Sequence, residues 1–254
     1  MEKDMMTLSF INHLAELRKR LIIIFAVNII GALVCYQFID KLIQVLLWLN
    51  PGMNLIYISP SELFMVYVQL AIICAVVILF PITASQAWAF IAQGLFKKER
   101  RYGMIALFAG VFFFILGASF AYFAALPITL DFFLRITLEG IEPMISIDSY
   151  ISFCTRLLGC FGVAFELPVV VFLLSELEIL KPHHMKQYHG ILILLIFIIS
   201  AILTPPDVLT QVIMAVPMCA LLQLSMGICW MIDRRKKKNE DRNNHSVTER
   251  INEI

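Results

Sequence analysis

One glutamate lies inside an apolar run that is long enough to be embedded in a lipid bilayer. Glu166 belongs to the stretch FGVAFELPVVVFLL at residues 161–174, too far from either end for its side chain to reach water. A charge at the bilayer centre costs roughly 2.5–3.5 kcal/mol even on a lenient scale, so such residues usually face a cavity or a partner. Pro168 frees a backbone carbonyl one turn earlier. The two residues together predict a polar point deep in a membrane protein.

Glu16 and Glu99 are the other candidate carboxylates, and each is surrounded by basic residues. Glu16 precedes Arg18, Lys19 and Arg20, and Glu99 lies within the sequence KKERR. One interpretation is local pairing, such as Glu16 with Arg20 at i,i+4, which contributes roughly 0.2–0.5 kcal/mol. The other interpretation is an acidic spot inside a basic rim, suited to bidentate capture of a guanidinium. Spacing alone leaves both open.

Signatures of catalysis and of metal binding are missing from the sequence. It contains no HExxH, GxSxG, glycine-rich phosphate loop or dinucleotide-binding fingerprint. His183, His184 and His189 cluster, but no carboxylate completes a metal set, and we interpret them as polar loop residues. The 6 cysteines have no metal-binding spacing and are interpreted as small buried hydrophobes. We therefore predict no enzyme activity, no cofactor and no metal.

The composition predicts an all-α polytopic membrane protein. Of the 254 residues, 60% are hydrophobic and only 15% are charged. A water-soluble domain of this size must still cover itself with polar groups, which this chain could not do. The first apolar run follows a charged helical segment and is long enough to remain as an anchor, so no cleavable signal peptide is predicted.

Six helices are predicted to cross the membrane within a domain that covers residues 21–232. Their boundaries are 21–38, 64–92 with a bend at Pro81, 104–126 closed by Pro127, 151–174, 191–203 and 208–232. The fifth run gives only about 20 Å of helix against a hydrocarbon core of roughly 30 Å. The last two helices are therefore predicted to be short, beside a thinned bilayer.

The segments outside the spans have distinct characters. Residues 1–20 are predicted to form an amphipathic helix at the membrane surface. The long loops 40–64 and 126–150 contain the amphipathic stretches KLIQVLLWL and PITLDFFLRITL, predicted as separate short helices that cap one face. Residues 233–254 are basic and then polar, and are predicted to be a disordered tail.

The distribution of positive charge predicts the orientation. Of the 20 Lys and Arg residues, all but Lys41, Arg135 and Arg156 lie in the N-terminal segment, the 93–103 loop, the 175–190 loop or the tail. By the positive-inside rule, these segments and both termini are predicted to be cytoplasmic.

Five motifs occur in order along these spans. They are HLAELRKRL at residues 13–21, PSELF at 60–64, QAWAFIAQGLFKKERR at 86–101, FELP at 165–168 and TPPD at 204–207. With the six spans, they closely resemble TatC, the multispanning receptor subunit of the twin-arginine protein translocase, from about residue 8 to residue 232. The resemblance implies a concave, glove-like bundle of six helices.

The resemblance implies a signal-peptide site on the cytoplasmic face. In the family, the N-terminal segment and the first cytoplasmic loop bind the twin-arginine signal peptide of folded cargo. The matching positions in this chain are Glu16, Arg18, Phe90, Glu99 and Arg101. Phe90 has the alternative interpretation of an interface anchor. Where many relatives have a proline, this chain has a glutamine, at position 93, which puts the shape of that turn in doubt.

The resemblance also implies an intramembrane site and a docking region. Glu166 matches the intramembrane glutamate of the family. Pro205 and Asp207 match its outer hairpin, and the last two spans match the region where single-span subunits of the TatA/TatB type dock. Gln211, one turn past Asp207, is expected to hydrogen-bond such a partner helix.

The predicted function follows from these assignments. We expect a receptor subunit in the bacterial cytoplasmic (inner) membrane that binds twin-arginine signal peptides, self-associates, and nucleates a translocation complex driven by the proton-motive force. No nucleic-acid partner is expected. The alternatives are a proton-coupled secondary transporter that uses Glu166, and a purely structural scaffold for other membrane proteins.

Overall fold

The computed structural model describes residues 2–48, 55–93, 99–135, 144–203 and 208–252. Within these ranges, six helices are long and apolar enough to cross a membrane, which confirms the predicted all-α, six-span architecture. A pair of two-residue strands is the other regular secondary structure in the described ranges. The orientation of the bundle in the membrane stays a prediction.

The first helix, α1 (Glu2–Gln37), joins the predicted surface segment and the first span without a break. No Pro or Gly lies between them to interrupt the backbone hydrogen bonds, since the first of either type is Gly31. Glu16 and Arg20 are therefore carried by the same rigid helix as the apolar span. The short helix α2 (Ile39–Leu47) follows, as the amphipathic pattern of the first long loop predicts.

The second span consists of two helices. The first, α3 (Pro60–Ile78), ends at Leu79, and α4 (Phe80–Ile91) has Pro81 in its first turn. A proline has no N–H to donate to the preceding turn, and its ring clashes with the carbonyl four residues earlier. The predicted bend at Pro81 is confirmed as a break centred on Leu79.

The third span continues past the proline that was expected to end it. It runs through α5 (Glu99–Phe120), a π-helical turn (Ala121–Ala125) and α6 (Leu126–Arg135). In the π turn, a backbone N–H bonds to the carbonyl five positions earlier, which widens the helix and accommodates the ring of Pro127. The Thr129 hydroxyl donates to a carbonyl of this turn at 2.8 Å. The predictions of a helix end at Pro127 and of a separate capping helix after it are therefore wrong.

The fourth span is broken in its middle. It consists of α7 (Ile147–Ala164) and α8 (Leu167–Glu176), with Phe165 and Glu166 between them. Pro168 lies in the first turn of α8, so the break has the same cause as the break in the second span. The structure thus places Glu166 at a helix interruption inside an apolar stretch.

The last two helices are longer than their apolar parts. The fifth, α9 (Pro182–Leu203), has 22 residues and the sixth, α10 (Val208–Asn252), has 45. A proline is well suited to the first turn of a helix, and the polar residues that follow continue it. The predictions of a short final pair and of a loop around His183, His184 and His189 are therefore wrong. Apolar length limits the buried part of a helix but not the helix itself.

The tail of α10 is helical where its composition predicts disorder. Lys237 pairs with Asp233 at 2.9 Å across one turn, and the Arg234 guanidinium lies 3.4 Å from the ring centroid of Trp230. Contacts at i,i+4 of this kind stabilise an exposed helix. A prediction from composition alone does not include them.

A link between the two long loops was not predicted. Strand β1 (Leu55–Ile56) pairs in parallel with β2 (Ile145–Ser146). Next to this pair, the Glu62 carboxylate accepts a hydrogen bond from the Ile58 N–H at 2.8 Å and another from the Ser146 hydroxyl. One carboxylate therefore caps the start of α3 and also holds the loop before α7.

The opposite end of the bundle is defined here as the basic side, the end that carries Arg20, Arg101, Lys181 and Lys236. Contacts between helices show which ends lie together. Gly110 of α5 lies next to Glu166, and Gly117 lies next to Phe161, so α5 and α8 run antiparallel. The start of α5 and the end of α8 therefore lie at the same level. Near that level, Lys236 of α10 donates to the end of α8.

The core lies between α3, α7 and α10. Leu70, Phe161 and Met214, one from each of these helices, are fully buried. The Gln69 amide donates to the Thr155 hydroxyl at 2.9 Å and joins α3 to α7 inside the apolar region. Polar contacts of this kind between spans remove the cost of leaving an amide unpaired in hydrocarbon.

Candidate functional site

Glu16 lies in an ion pair on the basic side. Its Oε1 atom accepts from Arg20 Nη2 at 2.6 Å, and Nη1 of the same guanidinium donates to Gln86 Oε1 of α4 at 3.2 Å. The Glu16 side chain is 30% exposed and the Arg20 side chain 18%. The site is thus a partly exposed carboxylate that already holds a guanidinium, at the junction of α1 and α4.

A second polar contact continues this junction toward the apolar region. The Asn28 amide donates to the Ile24 carbonyl at 2.8 Å and to the Thr83 hydroxyl of α4 at 3.4 Å. Thr83 and Gln86 are three residues apart and lie on one face of α4. Sequence reasoning missed both residues. The available signal was this i,i+3 spacing of two polar side chains in an apolar helix.

The remaining residues of the predicted signal-peptide site also lie on the basic side. The side chains of Arg18 and Arg101 are exposed, and Phe90 is half-buried near the end of α4. Glu99 is the first residue of α5, and its side chain lies outside the part of the chain that the structure describes. Whether its carboxylate approaches Glu16 stays a prediction.

The start of α5 is held against the end of α4. A Cβ atom at Gly103 would lie 1.4 Å from the Trp88 ring, so the helices approach closely only because position 103 is glycine. Trp88 is buried at this contact. Gln93 bonds back through its N–H to the Phe90 carbonyl at 3.4 Å. The chain therefore turns at residues 92–93, directly after α4.

Glu166 lies between α7 and α8 with its carboxylate against α5. Its Oε1 atom is buried and has no hydrogen-bond partner within the described ranges. A Cβ atom at Gly110 would lie 3.0 Å from its Oε2 atom, so the glycine provides the space for the carboxylate. A buried acceptor without a donor is costly unless a ligand or a proton satisfies it.

The space next to Glu166 belongs to a row of glycines on α5. Gly103, Gly110 and Gly117 are seven residues apart and therefore lie on one face of the helix. Each faces a different part of the chain, and a Cβ atom at Gly117 would lie 2.5 Å from the Phe161 carbonyl oxygen of α7. The row allows α5 to approach α4, α7 and α8 at once.

The predicted docking region is described in part. The Gln211 amide nitrogen donates to the Phe197 carbonyl of α9 at 3.0 Å, and the Ser200 hydroxyl donates to the Gln211 carbonyl at 2.7 Å. The side-chain nitrogen of Gln211 is therefore used within the pair of helices. Pro205 and Asp207 lie outside the described residues.

The histidines of α9 form no metal site with other ligands in the described ranges. No group of three or more His, Cys, Asp and Glu side chains that could hold a metal ion occurs there. The His189 ring lies 2.8 Å from the Gln223 amide nitrogen of α10, a hydrogen bond that links the last two helices. This contact supports a structural role for His189.

Comparisons with known proteins agree with this architecture. The family model described as Sec-independent protein translocase protein (TatC) matches residues 12–217. The TatC protein of Helicobacter pylori strain J99 is 37% identical over 237 residues, which cover 93% of this chain and 95% of that protein. The Aquifex aeolicus TatC is 34% identical over 232 residues, 89% of this chain and 96% of that protein.

Solved structures give the same result. A crystal structure described as the twin-arginine translocase receptor TatC superimposes with a TM-score of 0.78 at 33% identity, covering 87% of this chain and 99% of that one. A second structure of the receptor, in the detergent DDM, gives 0.79 at 34% identity, covering 85% and 99%. The chain belongs to the TatC family, and it is a multipass membrane subunit of a Sec-independent protein translocase and not an enzyme.

Proposed function

We propose that this chain is the receptor that binds the twin-arginine signal peptides of folded cargo and nucleates the translocation complex. The observation that carries the proposal is the Glu16 carboxylate, which is partly exposed and binds a guanidinium at 2.6 Å. The chemistry needed to recognise an arginine side chain is thus present at a position that the family resemblance independently assigns to signal-peptide binding. The solved structures that resemble this chain are described as those of a receptor.

The second arginine of the signal peptide requires a second carboxylate. Glu99 starts α5 on the basic side, the end of the bundle that also carries Arg20. Bringing two guanidinium groups to a surface that already carries Arg18 and Arg101 costs free energy without counter-charges. We infer that Glu16 and Glu99 each bind one arginine, and that Phe90 packs against the apolar part of the peptide.

The proposal is tested by direct binding to the full-length protein in nanodiscs. A fluorescently labelled twin-arginine peptide is titrated by anisotropy, with a twin-lysine peptide as the control ligand. We expect Glu16→Gln and Glu99→Gln each to weaken binding of the twin-arginine peptide by about tenfold or more, in the range of charge-assisted hydrogen bonds. Asp131→Asn, which removes an exposed carboxylate after the π turn, is the matched control. Unchanged binding in both glutamate variants would refute the proposed roles.

Assembly with single-span subunits of the TatA/TatB type is proposed at α9 and α10. Support comes from Gln211, whose side-chain oxygen remains an acceptor while its nitrogen bonds to Phe197. A donor on a partner helix that reached this oxygen would make a polar contact inside the bilayer. Co-purification of the single-span subunits with the wild-type and Gln211→Leu proteins measures the contribution of Gln211. A third protein, Gln223→Leu, tests the other amide side chain on α10. Equal recovery from all three proteins would contradict the assignment.

The proposed location is the bacterial cytoplasmic membrane, with both termini in the cytoplasm and transport driven by the proton-motive force. The positive charge of the basic side supports this orientation. Glu166 is proposed to act after capture, as the polar point that the inserted signal peptide meets. Glu166→Gln is therefore expected to keep peptide binding and to lose cargo export. A loss of initial binding would contradict this order.

A further inference from the structure

The Glu16–Arg20 pair limits what Glu16 can offer to an incoming guanidinium. Its Oε1 atom is engaged by Arg20 at 2.6 Å. A bidentate pair between a carboxylate and a guanidinium needs both carboxylate oxygens in the fork of one arginine. An arginine from another chain must therefore either donate only one hydrogen bond to Glu16 or displace Arg20.

The guanidinium of Arg20 uses only part of its hydrogen-bonding capacity. Among the residues that the structure describes, it donates one hydrogen bond from Nη2 to Glu16 and one from Nη1 to Gln86, and its Nε is buried without a partner. A guanidinium has five N–H donors, so this environment satisfies a minority of them. An incoming arginine that binds both oxygens of Glu16 makes a stronger contact than the single bond it replaces.

The surroundings of the pair permit an exchange. Glu16 is 30% exposed, so its carboxylate can be reached from the membrane surface. Arg20 loses one ion pair on displacement but can keep its hydrogen bond to Gln86, which comes from a different helix. The connection between α1 and α4 is then preserved through Arg20 and through Asn28 and Thr83.

We propose that Arg20 is an internal competitor for Glu16, displaced by an arginine of the cargo signal peptide on capture. The inference rests on the proposed function, because it takes that peptide as the ligand. An internal competitor lowers the apparent affinity of Glu16 for every cationic ligand by the same factor, which is the fraction of free Glu16. The ratio of the affinities is unchanged, but at a given concentration the weaker ligand, a lysine ammonium, is left with too little occupancy while a bidentate guanidinium still binds.

The test is the Arg20→Gln variant in the anisotropy experiment with the full-length protein. Glutamine removes the charge that competes for Glu16 and can still hydrogen-bond to Gln86. We expect the twin-arginine peptide to bind at least about twofold more tightly, which corresponds to the roughly 0.5 kcal/mol of an i,i+4 ion pair. The twin-lysine peptide should gain by the same factor, so that the ratio between the two peptides stays constant.

Lys19→Gln is the matched control for charge. It removes one positive charge from the neighbouring, exposed position. General electrostatic attraction would tighten binding equally in both variants, and that result would overturn the proposal, as would unchanged or weaker binding in Arg20→Gln. If Arg20→Gln fails to fold in detergent, Arg20→Met, which also removes the charge, decides in its place, and an affinity no higher than that of the wild type overturns the proposal.

Failure of the proposed function gives a different result. In that case the wild-type protein does not bind the twin-arginine peptide, or its binding is insensitive to Glu16→Gln. The competitor hypothesis is refuted separately, when binding depends on Glu16 but does not respond to Arg20 beyond the Lys19 control.

Discussion

Gly110 of α5 lies directly against the carboxylate of Glu166, so that a Cβ atom at position 110 would be 3.0 Å from Oε2. Glu166, the one carboxylate that the sequence predicts inside the membrane, therefore has room for its side chain because the neighbouring helix α5 has a glycine at this position. Because the fourth span is broken at Glu166, its carboxylate reaches α5 from a helix end rather than from the middle of a helix face.

Gly110→Ala is expected to displace Glu166 while leaving the fold intact. A contact of 3.0 Å requires the carboxylate to move by a few tenths of an ångström, which a flexible side chain can do. We expect cargo export to fall several-fold at an almost unchanged Tm. Gly159→Ala is the control, because no described residue outside its own turns of helix lies within 4 Å of a Cβ atom there. Export at the wild-type level in Gly110→Ala would show that the position of the Glu166 carboxylate is not critical.

Gly117→Ala is expected to destabilise the fold itself. A Cβ atom there would lie 2.5 Å from the Phe161 carbonyl oxygen, and a backbone oxygen in a buried helix cannot move aside. Overpacking of this kind costs about 1–3 kcal/mol. The measurement is thermal unfolding in detergent, compared with Gly159→Ala. A Tm of Gly117→Ala at or above that of Gly159→Ala would contradict the close approach of α5 and α7.

Lys236→Gln is expected to loosen the extension of α10 from the end of α8. Lys236 Nζ donates to the Glu176 carbonyl at 2.7 Å, to the Ser175 carbonyl at 3.3 Å and to the Glu178 carboxylate at 3.2 Å. Hydrogen bonds of a charged donor contribute about 1.5–3 kcal/mol each when buried, and less at this partly exposed position. Hydrogen exchange at residues 233–238 should be faster by about tenfold.

The control for this prediction is Lys238→Gln, which removes the same charge from an exposed position two residues later. Its exchange rates should stay within about twofold of the wild type. Equal acceleration in both variants would mean that the net charge, and not the contact with α8, holds the α10 extension.

Ser146→Ala is expected to release the link between the two long loops without disturbing α3. The Ser146 hydroxyl bonds to Glu62 Oε1, whereas the capping box of α3 pairs Ser59 with the other oxygen of Glu62 and remains intact. We expect faster hydrogen exchange at Leu55 and Ile56 in the variant. Ser61→Ala, in the exposed first turn of α3, should leave these amides unchanged. Protection that persists in Ser146→Ala would show that the strand pair alone holds the loops.

The positions of the spans could be predicted from the sequence, but the ends of the helices could not. Apolar length locates a span because only apolar residues are stable in the hydrocarbon core. It does not locate helix ends outside that core, where α9 begins at Pro182 and α10 continues to Asn252. Pro81 and Pro168 interrupt their helices, whereas Pro127 is accommodated by a π turn that no local pattern reveals.

The candidate site was predictable only as a set of residue types. The i,i+4 pairing of Glu16 with Arg20 follows from helix geometry and is confirmed. The contact of Arg20 with Gln86 depends on how α1 packs on α4, which a single sequence does not specify. The same holds for Gly110, because the distance from α5 to Glu166 is a property of the assembled bundle.

The strand pair between the long loops orders the events of biogenesis. Ser146 is made 84 residues after its partner Glu62. At about 5–20 residues per second, the earlier loop waits roughly 4–17 s on the emerging chain before its partner is available. During that interval, the second and third spans are made before the strand pair can form. A stalled chain that ends before residue 144 would therefore expose the β1 edge, and the sheet can close only once residues 145–146 have been made.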